Sequence, residues 1–306
     1  TAVTNAAVQL AAYGAAGITD VTAGNLLAVN AQIRKQQAAD GNTNNLETVA
    51  DLQAKVSAGN NALAYILSDV APETGVGEAG TGTLETQAQL DAYSDAGVLN
   101  VTADNLLAVN AQIRKQLAAD SDATVNLDTV AEIQGKVAAA NTALAYLVSD
   151  VAPETYALDD VSGGEAVLTT SEQLSAYAEA GILNVTADNL LAVNAQMRRQ
   201  EALDGNTDNL DSVADLQAQV SAADAALAYV VSDVAPETYA LDDVSGGGAV
   251  LTANEQLTAY VDAGVRDVTA DNLLAVNAQL RLETDADNKD SVADLQAIVV
   301  LAVSYT

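Results

Sequence analysis

Residues 185–196 read Val-Thr-Ala-Asp-Asn-Leu-Leu-Ala-Val-Asn-Ala-Gln, and nearly the same stretch occurs four times in the chain. Length alone suggests about two domains for 306 residues. Self-similarity at a fixed period is, however, the signature of a repeat architecture. The sequence therefore predicts four modules, which we number as copies 1 to 4. The repeated stretch lies at 21–32, 101–112, 185–196 and 268–279, after Tyr13, Tyr93, Tyr177 and Tyr260 respectively.

Each copy predicts three helices, as copy 3 illustrates. Leu174, Tyr177 and Ala178 lie on one face of the first helix, and Gly181 follows its end. Glycine is favoured there because the residue after a helix often adopts the left-handed conformation. The second helix is predicted to start at Thr186, whose hydroxyl group would cap the first turn.

The third helix carries an apolar seam that continues without a slip. In copy 3 the seam runs from Val213 to Val234 in steps of three and four residues. It is about six turns long, which is more than the other two helices can cover. We therefore expect its far end to contact the next copy. The residues assigned to this contact are Leu63, Ile66 and Val70 in copy 1 and Leu227, Val230 and Val234 in copy 3.

Proline and glycine divide the chain between copies. Pro72, Pro153 and Pro236 end the third helices, because proline lacks the N–H group and clashes with the preceding turn. Residues 156–169 return almost unchanged as 239–252, and their two short apolar runs around a Gly-rich turn predict a β-hairpin. The predicted fold is all-α, with four tandem three-helix modules in an elongated array. The predicted boundaries are 1–74 for copy 1, 75–155 for a linker plus copy 2, 156–238 for a linker plus copy 3, and 239–306 for a linker plus a truncated copy 4.

Copy 4 differs from the others in its last helix, which is roughly half as long. A seam that stops midway leaves apolar groups on its partners uncovered. Either the chain is a fragment, or a neighbouring molecule supplies the missing cover, and we favour the second interpretation. The residues assigned to this assembly contact are Val292, Leu295, Val299, Ala302 and Tyr305.

Composition excludes several classes of function. The chain has no Cys and no His, so disulfides, thiolate sites and Ser-His-Asp catalysis are absent. Its formal net charge of −31 repels phosphate backbones, so we expect no nucleic-acid partner. No apolar run is long enough to span a membrane. Acidic residues are spread over four similar copies without Trp or Phe, so we expect neither an enzyme nor a cofactor.

Two polar features of the sequence are candidate sites. The loop before the third helix of copy 3 has oxygen ligands at Asp204, Asn206, Asp208 and Asp211, which resembles part of a Ca²⁺ loop. The alternative, which we favour, is a solvated turn with Asp211 as the helix cap. The second feature is an Asn in the middle of each second helix, which either hydrogen-bonds a partner or fixes the register of the modules, or satisfies a neighbouring loop's backbone, the interpretation that we favour. These residues are Asn30, Asn110, Asn194 and Asn277.

The repeated string Ala-Gly-[Ile/Val]-x-x-Val-Thr-Ala-x-Asn-Leu-Leu-Ala-Val-Asn precedes a helix containing [Asp/Glu]-[Leu/Ile]-Gln. This pattern resembles helical modules repeated along very large bacterial surface proteins and biofilm adhesins, and it covers essentially the whole chain. In size and helix order the copies are also distantly similar to the three-helix albumin-binding modules of bacterial surface proteins. The first resemblance implies an extracellular stalk, spacer or filament subunit at the cell surface.

Two hypotheses remain. In the first, the chain is structural, and its partner is a further copy of itself joined head to tail, or a neighbouring repeat. Modules of about 70 residues are marginally stable alone, so stacking is expected on energetic grounds. In the second, the chain is a surface module that binds a host protein or Ca²⁺, which predicts one binding face in all four copies.

Overall fold

The computed structural model describes residues 5–40, 46–72, 84–119, 127–151, 168–204, 210–234 and 251–304. Within these residues it contains twelve α-helices and no strand, which confirms the all-α prediction. None of the described helices combines the length and the apolar character that crossing a bilayer requires. The helices are α1 (Ala6–Ala15), α2 (Leu26–Asp40), α3 (Val49–Tyr65), α4 (Thr86–Asp95), α5 (Leu106–Ala119), α6 (Val130–Tyr146), α7 (Thr170–Glu179), α8 (Leu190–Asp204), α9 (Val213–Tyr229), α10 (Ala253–Asp262), α11 (Leu273–Leu282) and α12 (Val292–Ser304).

The chain divides into two compact units, Thr1–Leu144 with Glu179–Gly181, and Ala145–Ala178 with Ile182–Thr306. In the first unit α2 packs against α3, and α4 packs on both of them. In the second unit α8 packs against α9, α10 packs on both of them, and α11 packs against α12. In each unit, therefore, the first helix of one copy lies on the second and third helices of the copy before it.

The long third helix forms with the predicted seam inside. In α9 the seam residues Val213, Leu216, Val220, Ala223 and Leu227 are all buried. The helix then continues as a π-helical turn, Val230–Val234, and α3 continues in the same way as Ile66–Val70. In the turn that follows α3, the amide of Ala71 donates to the carbonyl of Ile66 at 2.8 Å, five residues back. The sequence pattern predicts the continuation but not the wider turn.

Two predicted helix caps are wrong. The cap of α9 is Ser212, whose hydroxyl accepts from the amide of Asp215 at 3.1 Å, and Asp211 is exposed beside it. The second helix of copy 3 begins at Leu190, not at Thr186. The amide of Thr186 donates to the side-chain oxygen of Asn189 at 2.9 Å, which closes a turn before the helix starts. Asn side chains stabilise turns in this way by bonding nearby main-chain groups.

The left-handed glycines are confirmed. Gly17, Gly97, Gly181 and Gly264 follow the ends of the four first helices with φ angles of 76°, 75°, 76° and 74°. The hairpins predicted within 156–169 and 239–252 lie almost entirely outside the described residues. Pro153 and Pro236 also lie outside them. Only the residues next to α7 and α10, at 168–169 and 251–252, are described there.

Candidate assembly interface

A buried hydrogen-bond network fixes each first helix to the second helix of its own copy. In copy 2 the hydroxyl of Tyr93 donates to the side-chain oxygen of Asn110 at 2.6 Å. The side-chain amide of Asn110 in turn donates to Gln89 at 2.9 Å. Burial raises the pKa of the Tyr93 phenol above its ordinary value, so the hydroxyl stays protonated and remains a donor. Equivalent bonds join Tyr177, Asn194 and Gln173, and Tyr260, Asn277 and Gln256.

This network identifies two partners of each mid-helix Asn. Their side chains bond a Tyr and a Gln of the first helix of the same copy. In copy 1 the same bond joins Tyr13 to Asn30 at 2.7 Å, but Tyr13 is only partly buried. Burial of the network is therefore less complete in copy 1 than in copy 2.

In the first unit, the end of α4 lies against α2. The side-chain amide of Gln32 donates to the main-chain carbonyl of Asp95 at 2.7 Å. The ammonium group of Lys35 lies 2.6 Å from both carboxylate oxygens of Asp95. A Cβ atom on Gly97 would lie only 2.6 Å from the carbonyl oxygen of Leu27. Glycine is therefore needed at position 97 both for its φ angle and because two stretches of backbone meet there.

A second contact in the first unit joins the start of α6 to the turn before α2. The amide of Val130 donates to the carbonyl of Gly24 at 3.0 Å. In addition, the guanidinium group of Arg114 donates to the carbonyl of Ala71, just after the π-helical turn, at 2.8 Å. Copies 1 and 2 are thus joined by main-chain groups at two separate places.

The second unit repeats these contacts between copies 3 and 4. The side-chain amide of Gln196 donates to the carbonyl of Asp262 at 2.6 Å, and Arg199 forms an ion pair with the Asp262 carboxylate. Burial raises the pKa of that carboxyl group, and the positive charge of Arg199 opposes the increase. The amide of Val292 donates to the carbonyl of Asp188 at 3.0 Å. One set of contacts, which we call the repeat junction, therefore joins copies 1 and 2 and again joins copies 3 and 4. Two of its contacts also occur between Glu179 and the side chains of Gln112 and Lys115 in the first unit.

A groove of about 740 Å³ lies along the repeat junction of the second unit. Arg199 on α8 and Ala222 on α9 line one side of it, and Ala259 and Asp262 on α10 line the other. These four positions mark where the first helix of one copy meets the preceding copy.

The residues that the sequence assigned to assembly are placed as follows. The turn containing Ile66 and Val70 lies against α4, and the turn containing Val230 and Val234 lies against α10. A contact with a second molecule therefore needs other residues, because these are covered within each unit. Tyr305 lies outside the described residues. The buried members of the set are Leu63, Ile66, Val70, Leu227, Val230, Val234, Val292, Leu295, Val299 and Ala302.

The candidate Ca²⁺ loop is only partly described. Asn206, Asp208 and the side chain of Asp204 lie outside the described residues, and Asp211 is exposed. In the part of the chain that the structure describes, no group of three or more His, Cys, Asp or Glu side chains is placed to hold a metal ion. Calcium binding by this loop stays a prediction.

Sequence reasoning missed two surfaces that become visible when the copies are compared position by position. We call Ala12, Ala15, Ala16, Gly17 and Val49 the head face, all of which are exposed in copy 1. Val49 is 52% exposed. Its equivalent in copy 2, Val130, is only 1% exposed and bonds Gly24 of copy 1. The corresponding residues of copy 2 at the first helix are Ala92, Asp95, Ala96 and Gly97, of which all but Asp95 are buried.

The second missed surface, the tail face, consists of Leu282 and Leu301 in copy 4. Leu282 is 72% exposed and Leu301 is 50% exposed. They stand at the positions of Arg199 and Ala222, which line the groove of the second unit. A sequence signal was available, since Leu282 replaces a cation that other copies carry there.

The chain was compared with known proteins. No protein-family model, no curated protein and no solved structure matches it.

Proposed function

We propose that this chain is a structural, non-enzymatic repeat protein of the cell exterior, acting as a filament subunit or as a segment of an adhesin stalk. In this proposal its four copies are tandem three-helix modules joined into an array. The observation that carries the proposal is the repeat junction, which recurs with the same hydrogen bonds in both units. The resemblance of the repeated string to modules of bacterial surface proteins supports the extracellular location.

The repeat junction suits a mechanical role because several modest contacts act together. Its side-chain bond to a main-chain carbonyl contributes about 1 kcal/mol. Its ion pair is partly exposed and contributes less than about 1 kcal/mol. In repeat proteins such nearest-neighbour terms add along the chain, so the stability of the array is distributed over its junctions. No single pocket has to hold the array together.

The net charge of −31 complements this role. Like charges on neighbouring arrays repel, which opposes side-by-side aggregation, and dissolved cations screen that repulsion over about 10 Å at 0.1 M salt. End contacts made by apolar and main-chain groups are much less affected. Growth along the array is therefore favoured over bundling.

Negative-stain electron microscopy of the purified chain tests this proposal. We expect elongated particles at every concentration, and in the filament case their length increases with concentration. The measurement is repeated at low and high salt, because screening should increase bundling while the width of single particles stays the same. Compact, isolated monomers at all concentrations would contradict the structural role.

A further inference from the structure

We propose that the head face of one molecule binds the tail face of a second molecule of the same chain, forming a repeat junction between the two. This inference rests on the proposed function, because it names the partner and the surfaces of the end-to-end contact. In the proposed junction, α1 of the second molecule lies on α11 and α12 of the first molecule. It occupies the place that α4 occupies on α2 and α3, and that α10 occupies on α8 and α9.

The two faces have the right parts for such a contact. Helix α1 is the first helix of copy 1, as α4 is of copy 2, and it carries the same Tyr–Asn bond to its own second helix. Helices α11 and α12 pack against each other as α8 and α9 do. Gln279 of copy 4 stands where Gln32 and Gln196 donate to the end of the following first helix. The inter-chain junction thus retains a donor for the carbonyl of Ala15.

The charged pair of the repeat junction is replaced on both sides at once. Inside the chain, Lys35 faces Asp95 and Arg199 faces Asp262. The position of the cation is Leu282 in copy 4, and the position of the acid is Ala15 in copy 1. An apolar residue on only one side would leave a partly exposed charge facing an apolar side chain, without its partner. The two replacements match each other, as expected if these residues meet.

The size of the side chains also matches. On the tail face, Leu301 is larger than its equivalent Ala222, and on the head face α1 carries small residues at Ala12, Ala15 and Ala16. Bulky groups on one surface therefore meet small groups on the other. The two helices also carry few charges: Ala6–Ala15 contains no charged residue, and Val292–Ser304 contains only Asp294. A single chain carries both halves of an apolar contact.

These observations favour a second molecule of the same chain as the partner that covers each face. The head and tail faces differ from one another, so their contact is heterologous and repeats from molecule to molecule without closing. It continues a junction that the chain already uses within each unit. An unrelated protein would not explain why the replacements at Ala15 and Leu282 complement each other.

The test uses variants of the 306-residue chain whose assembly is followed by sedimentation velocity at increasing concentration. Ala15→Asp places an acid against Leu282 of the next molecule, and Leu282→Lys places a cation against Ala15. We expect each variant alone to assemble at least tenfold more weakly than the wild type. Mixing the two variants creates one acid–cation junction and one unchanged junction, so mixed polymers should recover. Gly14→Asp is the matched control, because position 14 is exposed in copy 1 and its equivalents Ser94 and Val261 are exposed too.

Gly17→Asn provides a second variant that does not depend on charge. Nothing lies within 4 Å of a Cβ at Gly17, and Asn tolerates the left-handed conformation, as Asn100 and Asn184 show at φ 63°. The monomer should therefore keep its helicity and melting temperature. In the proposed junction the added side chain would strike the backbone at Leu274, the equivalent of Leu27, and prevent assembly.

The outcomes separate the inference from the proposed function. Weak assembly of the single variants and Gly17→Asn, with recovery in the mixture, supports the inference. Wild-type polymers that Ala15→Asp and Gly17→Asn leave unchanged would overturn it and keep the filament. Elongated wild-type monomers that never associate would also overturn it, and would leave the chain as a stalk segment. Compact monomers would overturn both.

Discussion

Gln32 donates its side-chain amide to the main-chain carbonyl of Asp95, so a residue of copy 1 satisfies the end of the first helix of copy 2. We expect Gln32→Ala to lower the free energy of unfolding by about 1 kcal/mol, because this bond is lost. Urea unfolding followed by circular dichroism measures the change. Gln279→Ala is the matched control in copy 4. It should leave the monomer's stability unchanged, and an equal loss in both variants would contradict this account of the junction.

The glycines at the ends of α1 and α4 differ in what surrounds them. Gly17 and Gly97 have φ angles of 76° and 75°, so Ala at either position carries the same backbone strain, about 1–2 kcal/mol. Only at Gly97 does the added Cβ meet the carbonyl of Leu27, at 2.6 Å. Gly97→Ala should therefore destabilise the monomer by about 1–3 kcal/mol more than Gly17→Ala. Thermal melting at a concentration where the chain is monomeric measures the difference, and equal effects would rule out the close backbone contact.

The Tyr–Asn–Gln network should stabilise copy 2 more than copy 1. Tyr93→Phe removes the hydroxyl that donates to the buried oxygen of Asn110, and the loss of this buried hydrogen bond costs about 1–3 kcal/mol. Tyr13→Phe removes the same group from a partly exposed site, where water replaces the lost bond. We expect a clearly smaller loss for Tyr13→Phe in urea unfolding. A loss as large as that of Tyr93→Phe would contradict the weaker burial of the network in copy 1.

The cap of α10 predicts a pH dependence. The Thr252 amide and hydroxyl donate to Glu255 at 2.7 and 2.8 Å and hold the pKa of that carboxyl group below its ordinary value. A lowered folded-state pKa contributes stability above the unfolded-state pKa, about 4.3, and that stability disappears as the pH falls through the folded-state pKa. Glu255→Gln keeps the shape but removes the charge. Its deficit in melting temperature should be largest at neutral pH and should vanish in acid, whereas a deficit independent of pH would exclude the ionised cap.

Much of the local structure follows from the sequence. The steps of three and four from Val213 to Val234 predict a long helix with a buried seam, because only a helix brings those positions to one face. The glycines predict the helix ends because few other residues adopt positive φ angles. The contact of α4 with the turn that contains Ile66 and Val70 was also expected, because the seam is longer than the other two helices of its own copy can cover.

Other features cannot be read from the periodic pattern, because they depend on which polar side chain reaches a particular main-chain group. Thr186 and Asp211 have side chains that can cap a helix. The residues that directly precede α8 and α9, however, are Asn189 and Ser212. The bond from Gln32 to Asp95 joins a side chain to a main-chain carbonyl, which has no sequence signature of its own. The head and tail faces emerge only from differences between copies at Ala15 and Leu282, whereas the repeat pattern draws attention to what the copies share.

Chemical cross-linking tests the central claim most directly, because the chain has no cysteine of its own. One chain carries Ala15→Cys and the other carries Leu282→Cys, and the two are mixed and treated with a short bis-maleimide. A single chain with Lys35→Cys and Asp95→Cys calibrates the reach of the reagent at an internal junction. The account predicts links between position 15 of one chain and position 282 of the other. Links only between identical positions, or none while the calibration pair reacts, would contradict it.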